Sequence, residues 1–377
     1  MKHKICYVLP EYKEGLATHF SYIERLLCEA TKELEIFLII EKGEVPKGNL
    51  GCVKIKMISS PNFLLRSIKL KFWLLYARFY GYCDFYVHYS FLSAITASFI
   101  AKIFGGRVFY WNCGEPWKYK RSFLRERFER WTYRLVTFVV TGTDHLSDEY
   151  AKHYDIPREK ILAMPNWIDV ERFEEEPDKR ELRKELDLPV DKKIILFAHR
   201  LSLRKGSRMI LPVARDLLTV RNDVFFVVVG TGPDEEKLRS RSQGSETLSR
   251  TVRFLGAVPN REIQKYFAVA DVFFMPSQEE GFPRVVLESM ASGIPIVASN
   301  VGSVSEIVPV SMKPFIVHPN DTSGFVRTLN MVLSQNTEQR QKQQKELRER
   351  AREFATCTVV KKFVKLFEHA GGKPCGQ

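Results

Sequence analysis

The sequence has no paired cysteine motif and no long apolar run. Its seven cysteines are odd in number and widely spaced, and none forms a Cys-x-x-Cys pair. A disulfide framework or a zinc site is therefore not expected, and a reducing cytoplasm fits best. The longest uncharged run, residues 85–101, is shorter than a membrane-spanning helix. The basic N-terminus lacks a following apolar stretch, so no signal peptide is expected.

Acidic residues are outnumbered, because 58 Lys and Arg face 45 Asp and Glu and the net charge is +13. The segment from Pro61 to Arg134 has 13 Lys and Arg against four acids, so it carries +9 of that excess. A basic excess suits nucleic acid, an anionic membrane surface or phosphorylated ligands. Because no nucleic-acid-binding module is recognisable, we expect no nucleic-acid partner.

The length of 377 residues favours two domains, and the apolar pattern starts twice. Strands are expected in the first half at residues 4–10, 35–41, 85–90, 107–112 and 138–143, and in the second half at residues 192–200, 223–230, 251–256, 271–277 and 294–299. Strands that are apolar on both faces and are separated by helical patterns indicate parallel sheets covered on both sides. We predict an α/β protein with two doubly wound domains.

A hinge between the domains is expected in MPNWIDVERF, residues 164–173, because it contains Pro and Asn. The first domain is then expected over residues 1–168 and the second over residues 169–355. Beyond them, residues 356–372 have an apolar stripe and predict a helix that packs with one face.

The strongest chemical motif is PSQEEGFPRVVLESMASGIPIVAS, which begins at the end of a predicted strand. A loop carries Glu280 and Gly281, a helix begins near Pro283, and Glu288 lies inside that helix. A helix N-terminus attracts an anion such as a pyrophosphate, and carboxylates can bind sugar hydroxyls through charge-assisted hydrogen bonds. An exposed acidic helix start without a ligand is the alternative.

A second motif, HRLSLRKGSRMIL, follows another predicted strand. It places Arg200 and Lys205 at the carboxyl end of that strand, where ligands bind in parallel sheets. Two cations there could neutralise a diphosphate leaving group. Two solvated surface cations are the alternative interpretation.

Taken in order, HRLSLRKG, VVVGTGPDEEKL, VRFLGAVPNREIQKYFAVADVFFMPS and EEGFPRVVLESMASGIPIVAS resemble the family 4 retaining glycosyltransferases of the GT-B fold. The resemblance covers nearly the whole second domain and reaches the first through EYKEGLATHF. It implies two Rossmann-like domains facing a cleft, with the C-terminal helix 356–372 joined to the first. It also implies a hexosyltransferase in which the second domain binds a nucleotide-diphosphate sugar and the first binds the acceptor.

The resemblance implies roles for individual residues. Glu280 would contact hydroxyls of the donor sugar, and Glu288 would bind the ribose. Arg200 and Lys205 would bind the donor pyrophosphate. Further donor contacts are implied for Gly281, for the backbone N–H groups of Phe282 and Arg284, for Gly230 and Gly232 beside the nucleotide, and for Gly15 in the first strand-to-helix loop.

The sequence departs from the family pattern after the strand VFYWN, where Cys113 replaces a histidine near the reacting sugar. Asn112, Cys113 and Glu115 therefore become candidates for acceptor or sugar contacts, together with His19 on the first helix. A small buried apolar residue is the alternative for Cys113. His88, inside an apolar strand, is interpreted as a core histidine.

No Asp-x-Asp motif occurs and no His/Cys cluster has metal spacing. We therefore expect no metal and no cofactor, with the diphosphate charge met by Arg200, Lys205 and a helix dipole. One alternative is a dinucleotide-dependent oxidoreductase, since GTGPDE follows a strand, although it lacks the third glycine of the fingerprint. Another is a non-catalytic relative that binds sugar nucleotides, prompted by Cys113 and Pro283.

The basic residues of the first half are mixed with aromatic ones in residues 63–82 and 118–135. Such surfaces suggest a peripheral contact with an anionic membrane. For a cytoplasmic protein, this contact is expected at the inner face of the membrane. Core helices with a solvated basic face are the alternative. The acceptor is then expected to be a glycan, a lipid-linked sugar or a cell-surface glycan precursor.

Overall fold

The computed structural model describes residues 2–13, 18–46, 50, 54–119 and 121–369. They fall into two compact units. The first unit comprises the chain up to Pro165 together with the segment from Thr356, and the second comprises Asn166–Ala355. Each contains one parallel sheet with helices in its crossovers, so the prediction of two doubly wound α/β domains is confirmed.

Among the described residues, the first unit has seven parallel strands in the order β3-β2-β1-β4-β5-β6-β7. They are β1 His3–Leu9, β2 Leu34–Ile40, β3 Lys54–Met57, β4 Asp84–His88, β5 Arg107–Trp111, β6 Phe138–Thr141 and β7 Ile161–Ala163. The helices between them are α1 Thr18–Ala30, α2 Phe63–Phe79, α3 Phe91–Phe104, α4 Phe123–Leu135 and α5 Asp144–Tyr154.

The central strands of this sheet are buried on both faces because successive side chains point to opposite sides. Cys6 and Val87 belong to the core formed with α2 to α5, whereas their neighbours Tyr7 and Tyr86 stack on each other at 5.1 Å on the other side. Both faces are therefore covered, as continuous apolar strands require.

In the second unit, the described residues form a parallel sheet in the order β10-β9-β8-β11-β12-β13. The strands are β8 Lys193–Ala198, β9 Val224–Val229, β10 Val252–Gly256, β11 Val272–Met275, β12 Ile296–Ser299 and β13 Ile316–Val317. The helices are α6 Lys179–Glu185, α7 Ile210–Leu218, α8 Glu235–Gln243, α9 Glu246–Thr251, α10 Ile263–Val269, α11 Arg284–Ala291, α12 Val304–Ile307, α13 Thr322–Leu333 and α14 Thr337–Arg352.

The last described helix, α15 Thr356–His369, packs on the first sheet. Phe363 is fully buried, and its ring lies 5.0 Å from that of Tyr86 and 6.2 Å from that of Tyr7. Arg107 of β5 donates to the carbonyl oxygen of Phe367 at 2.8 Å. The apolar stripe of this helix therefore covers the face of the sheet that α2 to α5 leave open.

Three short strands, β3, β7 and β13, have no counterpart in the sequence expectations. The first has the residues KIKM and alternates between exposed and half-buried positions, so its apolar signal is weak. All three lie at or near sheet edges, where one neighbour supplies little burial. The described part of the chain has no helix both long and apolar enough to cross a membrane.

Four described cysteines, Cys6, Cys28, Cys113 and Cys357, are free thiols. Cys83, just before β4, is disulfide-bonded. A single disulfide bond is not a disulfide framework, but we expected all cysteines to be reduced. The sequence could not predict this bond, because the spacing of cysteines along the chain does not show which thiols approach in space.

Removing the Phe363 ring should destabilise the first unit by about 3–5 kcal/mol, because a large buried side chain would leave a cavity against Tyr7 and Tyr86. In Phe363→Ala, amide exchange measured by mass spectrometry should accelerate more than about 100-fold in the slowest peptides of β1 and β4. Peptides of β8 and β11 should not change. Lys361→Ala, on the exposed side of α15, is the control. Unchanged exchange in β1 and β4 would contradict this packing.

Candidate functional site

The carboxyl ends of β8 and β11 meet where the strand order of the second sheet reverses. Residues 199–206 follow β8, and residues 276–283 follow β11 and lead into α11. In doubly wound sheets, the crevice at such a reversal is where ligands bind. The two motifs found in the sequence are therefore neighbours in space.

A buried carboxylate joins the two loops. Glu280 is 7% exposed, and its Oε2 lies 2.8 Å from Nζ of Lys205. Its other oxygen, Oε1, accepts from the hydroxyl of Ser277 at 2.8 Å and lies 3.2 Å from Nε2 of His199. Three donors from three positions therefore surround one carboxylate.

The environment keeps Glu280 ionised. Burial by itself raises the pKa of a carboxyl group, but the charge and hydrogen bond of His199 and those of Lys205 outweigh it, and together they lower the pKa of Glu280 to about 2. At neutral pH the side chain is thus an acceptor of hydrogen bonds and cannot donate a proton.

His199 was not singled out from the sequence, although it ends the predicted strand. Its Nδ1 accepts the backbone N–H of Arg200 at 2.8 Å. Because that nitrogen is an acceptor, the ring proton that faces Glu280 is on Nε2. The position at the carboxyl end of a parallel strand is the one signal in the sequence that could have identified it.

A glycine sets the distance between the two loops. Gly206 has φ +67°, and a Cβ at this position would lie 1.8 Å from the carbonyl oxygen of Pro276. The backbone N–H of Gln278 donates to the carbonyl oxygen of Arg204 at 2.9 Å. No side chain fits at this approach, so Gly206 allows Lys205 to reach Glu280.

The loop after β9 packs on the loop after β8. A Cβ on Gly230 would lie 2.0 Å from the carbonyl oxygen of His199, and one on Gly232 would lie 2.2 Å from that of Leu201. The backbone N–H of Leu201 also donates to the carbonyl oxygen of Thr231 at 2.9 Å. Both predicted glycines therefore lie beside the cluster, and the structure gives them a packing role.

The remaining predicted donor residues surround the start of α11. The N–H groups of Gly281 and Phe282 make no hydrogen bond to another described residue, while the carbonyl oxygen of Phe282 accepts from the Asn166 side chain at 2.7 Å. The guanidinium of Arg284 lies over the ring of Trp167 at 5.1 Å. Glu288, in the second turn of α11, is buried.

Cations near the cluster are not equally available. Arg204 pairs with Glu279 at 2.8 Å, and Arg208 pairs with Asp234 at 3.1 Å. The guanidinium of Arg200, in contrast, is exposed and has no ion-pair or hydrogen-bond partner among the described residues. Arg200 thus carries an uncompensated positive charge one residue from His199.

Comparisons with known proteins identify proteins that are similar to this chain. Residues 178–354 match the model of the glycosyl transferases group 1, which spans most of the second unit. This part of the chain is therefore similar to the group 1 glycosyltransferases. The D-inositol 3-phosphate glycosyltransferase of Streptomyces avermitilis is 29% identical over 51% of this chain and 43% of its own length. The 2-deoxystreptamine glucosyltransferase of Streptomyces kanamyceticus is 28% identical over 54% and 53%.

The matched part of this chain spans about half the length of those curated relatives. The structural likeness covers more. The crystal structure of HepE from Anabaena with UDP and glucose has a TM-score of 0.77 and 16% identity, over 97% of this chain and 99% of HepE. The GT-B fold implied by the resemblance is thereby confirmed, whereas family 4 stays a prediction.

The predicted acceptor residues lie in the first unit. The side chain of Asn112 is occupied, because its amide donates to the Tyr133 hydroxyl at 2.9 Å and its oxygen accepts the N–H of Gly114 at 3.1 Å. Cys113 is a buried free thiol, and Glu115 is buried and pairs with Lys118 at 2.8 Å.

The structure does not describe the side chains at the other two predicted positions of the first unit. Gly15 lies outside the described residues, and His19 falls in α1 without a described side chain. His88 is fully buried, lies 2.6 Å from the Tyr7 hydroxyl and stacks on Trp111 at 4.2 Å. It is therefore a core histidine, as its strand pattern indicates.

A cavity of about 410 Å³ lies at the opposite edge of the second sheet, beside the amino ends of β11 and β12. Several of its charged side chains are already paired. Asp271 lies 2.8 Å from Arg183, and Arg348 pairs with Glu176 at 2.5 Å. Within the described ranges, no group of three or more His, Cys, Asp or Glu could bind a metal ion. The cluster around Glu280 is the better candidate site.

The low pKa of Glu280 predicts a specific dependence of stability on pH. Because the folded-state pKa lies below the ordinary 4.5, the stabilisation is complete above pH 4.5 and is lost as the pH falls toward 2. The difference in unfolding free energy between the wild type and Glu280→Gln should shrink by about 2 kcal/mol between pH 5.5 and pH 3.

Urea unfolding of the second unit at both pH values measures this difference. Glu246→Gln, an exposed carboxylate on α9, is the control and should show much less change. A difference between the wild type and Glu280→Gln that stays constant with pH would show that Glu280 is not stabilised in its charged form.

Proposed function

We propose that this protein is a retaining glycosyltransferase that moves a hexose from a nucleotide-diphosphate sugar to an acceptor without a metal ion. The observation that carries the proposal is the cluster of Glu280, Lys205 and His199 at the strand-order reversal of the second sheet. It combines a fixed carboxylate with cations at the edge where α/β sheets bind ligands. HepE, whose fold this chain shares, was crystallised with UDP and glucose, which supports this donor class.

The diphosphate would be bound by cations and backbone donors. A lysine ammonium has three N–H donors, and one of those of Lys205 is directed at Glu280. The others can neutralise a leaving diphosphate together with the guanidinium of Arg200, which has no partner among the described residues. The N–H groups of Gly281 and Phe282 before α11 add uncharged donors at a helix N-terminus.

The transferred sugar would lie against Glu280. A carboxylate offers about four lone-pair sites, and Ser277, His199 and Lys205 occupy three. The remaining site can accept a sugar hydroxyl. A negative charge here also stabilises an oxocarbenium-like sugar in the transition state. We assign Glu288 to the ribose on the basis of the family resemblance.

Retention is proposed to proceed without a covalent enzyme intermediate. Glu280 accepts from three donors and has a strongly lowered pKa, so it is a poor nucleophile. The bond between the anomeric carbon and the diphosphate oxygen breaks, and its electron pair leaves with the diphosphate. The acceptor hydroxyl then attacks from the same face, and its proton passes to the leaving phosphate oxygen.

The acceptor is proposed to be a glycan or a lipid-linked sugar. Since the Asn112 amide is bonded to Tyr133 and Gly114, an acceptor contact there would involve Cys113 or Glu115, whose carboxylate is already paired with Lys118. No cofactor other than the donor is proposed.

Glu280→Ala should reduce turnover of the donor about 10²–10³-fold, because it removes the fixed charge beside the reacting carbon. The assay follows release of free nucleoside diphosphate from UDP-, GDP- and ADP-glucose, so it needs no knowledge of the acceptor. The matched control is Glu279→Ala, which removes the neighbouring carboxylate paired with Arg204 and should retain most activity.

Two further measurements complete the test. Thermal stability of each variant with and without donor shows whether the donor still binds. Activity should persist in excess EDTA. Full activity of Glu280→Ala would overturn the catalytic role of this cluster, and loss of activity in EDTA would overturn the metal-independent mechanism.

A further inference from the structure

The outward side of α2 is apolar, although its opposite side already packs on the sheet. Leu70, Leu74 and Ala77 are buried, at the spacing of one helical face. On the other face, Leu64, Ile68, Phe72 and Phe79 form a second stripe and are 59–69% exposed. A surface helix of a soluble protein normally shows polar residues there. The second stripe is therefore apolar surface that the described part of the chain leaves mostly exposed.

The stripe continues onto α3 and α4. The ring of Phe79 lies 5.3 Å from that of Phe104 in α3, and the ring of Phe99 lies 6.1 Å from that of Trp131 in α4. Phe128 then lies 6.4 Å from Trp131, and all five of these rings are exposed by 41% or more. We call the exposed side of α2, α3 and α4 the outer face. Scattered apolar residues are ordinary, whereas contiguous ones mark an interaction site.

Charge on the outer face is predominantly positive. The helices α2, α3 and α4 contain nine Lys and Arg against two Glu. Of the two, Glu129 is buried and paired with Arg121, and Glu126 pairs with Arg130. Around the helix axis, Lys69 lies on one side of the α2 stripe and Lys71 on the other. Cations flanking an apolar stripe form the pattern of a helix that lies in a membrane interface.

We propose that the outer face of α2, α3 and α4 docks this protein on an anionic membrane surface. The apolar stripe would enter the boundary between headgroups and acyl chains, with Trp131 at the depth that tryptophan prefers. The flanking cations would contact anionic headgroups and keep their charged ends in water. Docking of this kind places α2, α3 and α4 in the membrane interface and does not require a helix that spans the membrane.

Charge complementarity favours a membrane over the other occupants. A second copy of this chain would bring the same uncompensated cations against each other, which is unfavourable. Nucleic acid would use the cations but would leave the aliphatic stripe of Leu64 and Ile68 without a partner. An anionic bilayer satisfies the charges and the apolar side chains together.

The proposal does not rest on sugar transfer. If the proposed function also holds, docking through the first unit would bring the protein to a lipid-linked acceptor. Membrane binding and donor turnover are therefore measured separately. A loss of membrane binding then leaves the proposed sugar transfer unaffected, and a lack of donor turnover leaves the proposed membrane docking unaffected.

The experiment is co-sedimentation of the full chain with vesicles of phosphatidylcholine alone or with about one third phosphatidylglycerol, at about 0.05 M and about 0.5 M salt. We expect binding to the anionic vesicles, weakened at least about 10-fold at high salt, and little binding to phosphatidylcholine alone. Brominated lipids should quench tryptophan fluorescence, and Trp131→Phe should remove most of that quenching while leaving binding in place.

Two triple variants separate the apolar from the ionic contribution. Each should weaken binding at least about 10-fold without changing release of nucleoside diphosphate from the donor. The apolar set is Ile68→Ser, Phe72→Ser and Phe128→Ser. The charge set is Lys69→Gln, Lys71→Gln and Arg127→Gln. Matched controls on exposed positions of the second unit, which should bind like the wild type, are Val220→Ser, Val310→Ser and Met331→Ser, and Lys237→Gln, Arg241→Gln and Lys342→Gln.

Several outcomes would overturn the proposal. One is an absence of binding to anionic vesicles at low salt. Another is equal loss of binding in the control variants, which would show a general charge effect. A third is a dimer in light scattering that the apolar set converts to monomer, which would assign the outer face to a second copy of the chain.

Discussion

The buried carboxylate of Glu280 is the constraint on which the second unit's candidate site depends. A charge at this depth is tolerated only with partners, and its partners come from both motifs: Lys205 and His199 from the end of β8, and Ser277 from its own loop. The loop after β8 and the loop after β11 must therefore lie close together. Gly206 permits this close approach, because any side chain at this position would collide with the carbonyl oxygen of Pro276.

The same pairing links structure to chemistry. A carboxylate that three donors hold in its charged form can position hydroxyl groups and stabilise positive charge, but it supplies neither a proton nor a good nucleophile. Lys205 pairs with this carboxylate, and Arg200 follows His199 in the same loop. The arrangement therefore suits a reaction in which positive charge develops on a sugar while negative charge leaves on a phosphate.

Sequence patterns predicted the central strands and the two loops well, because buried strands and the Gly and Pro residues after them leave strong local signals. They did not identify His199, whose partner is distant in the chain and becomes visible only when β8 and β11 pair. They missed β3, since KIKM at a sheet edge buries little. They also predicted Asn112 as a candidate sugar contact, but they could not show that its side-chain amide donates to the Tyr133 hydroxyl and accepts the N–H of Gly114.

The distribution of charge could also be predicted only in part from the sequence. Counting residues located the basic excess in the first unit, but it could not show that Asp84, Glu115 and Glu129 are buried. Asp84 and Glu129 pair with Arg107 and Arg121, which are themselves largely buried. Within residues 61–134, Glu126 is then the one acid that stays partly exposed, while the Lys and Arg of α2 to α4 are exposed or half-buried.

A crystal structure of this protein with a bound nucleotide-diphosphate sugar tests the central claim most directly. The account predicts the diphosphate within hydrogen-bond distance of Lys205 and Arg200, and a sugar hydroxyl on the free lone pair of Glu280. A nucleotide bound instead in the cavity beside the amino ends of β11 and β12, with the ion pairs around Glu280 unchanged, would contradict it.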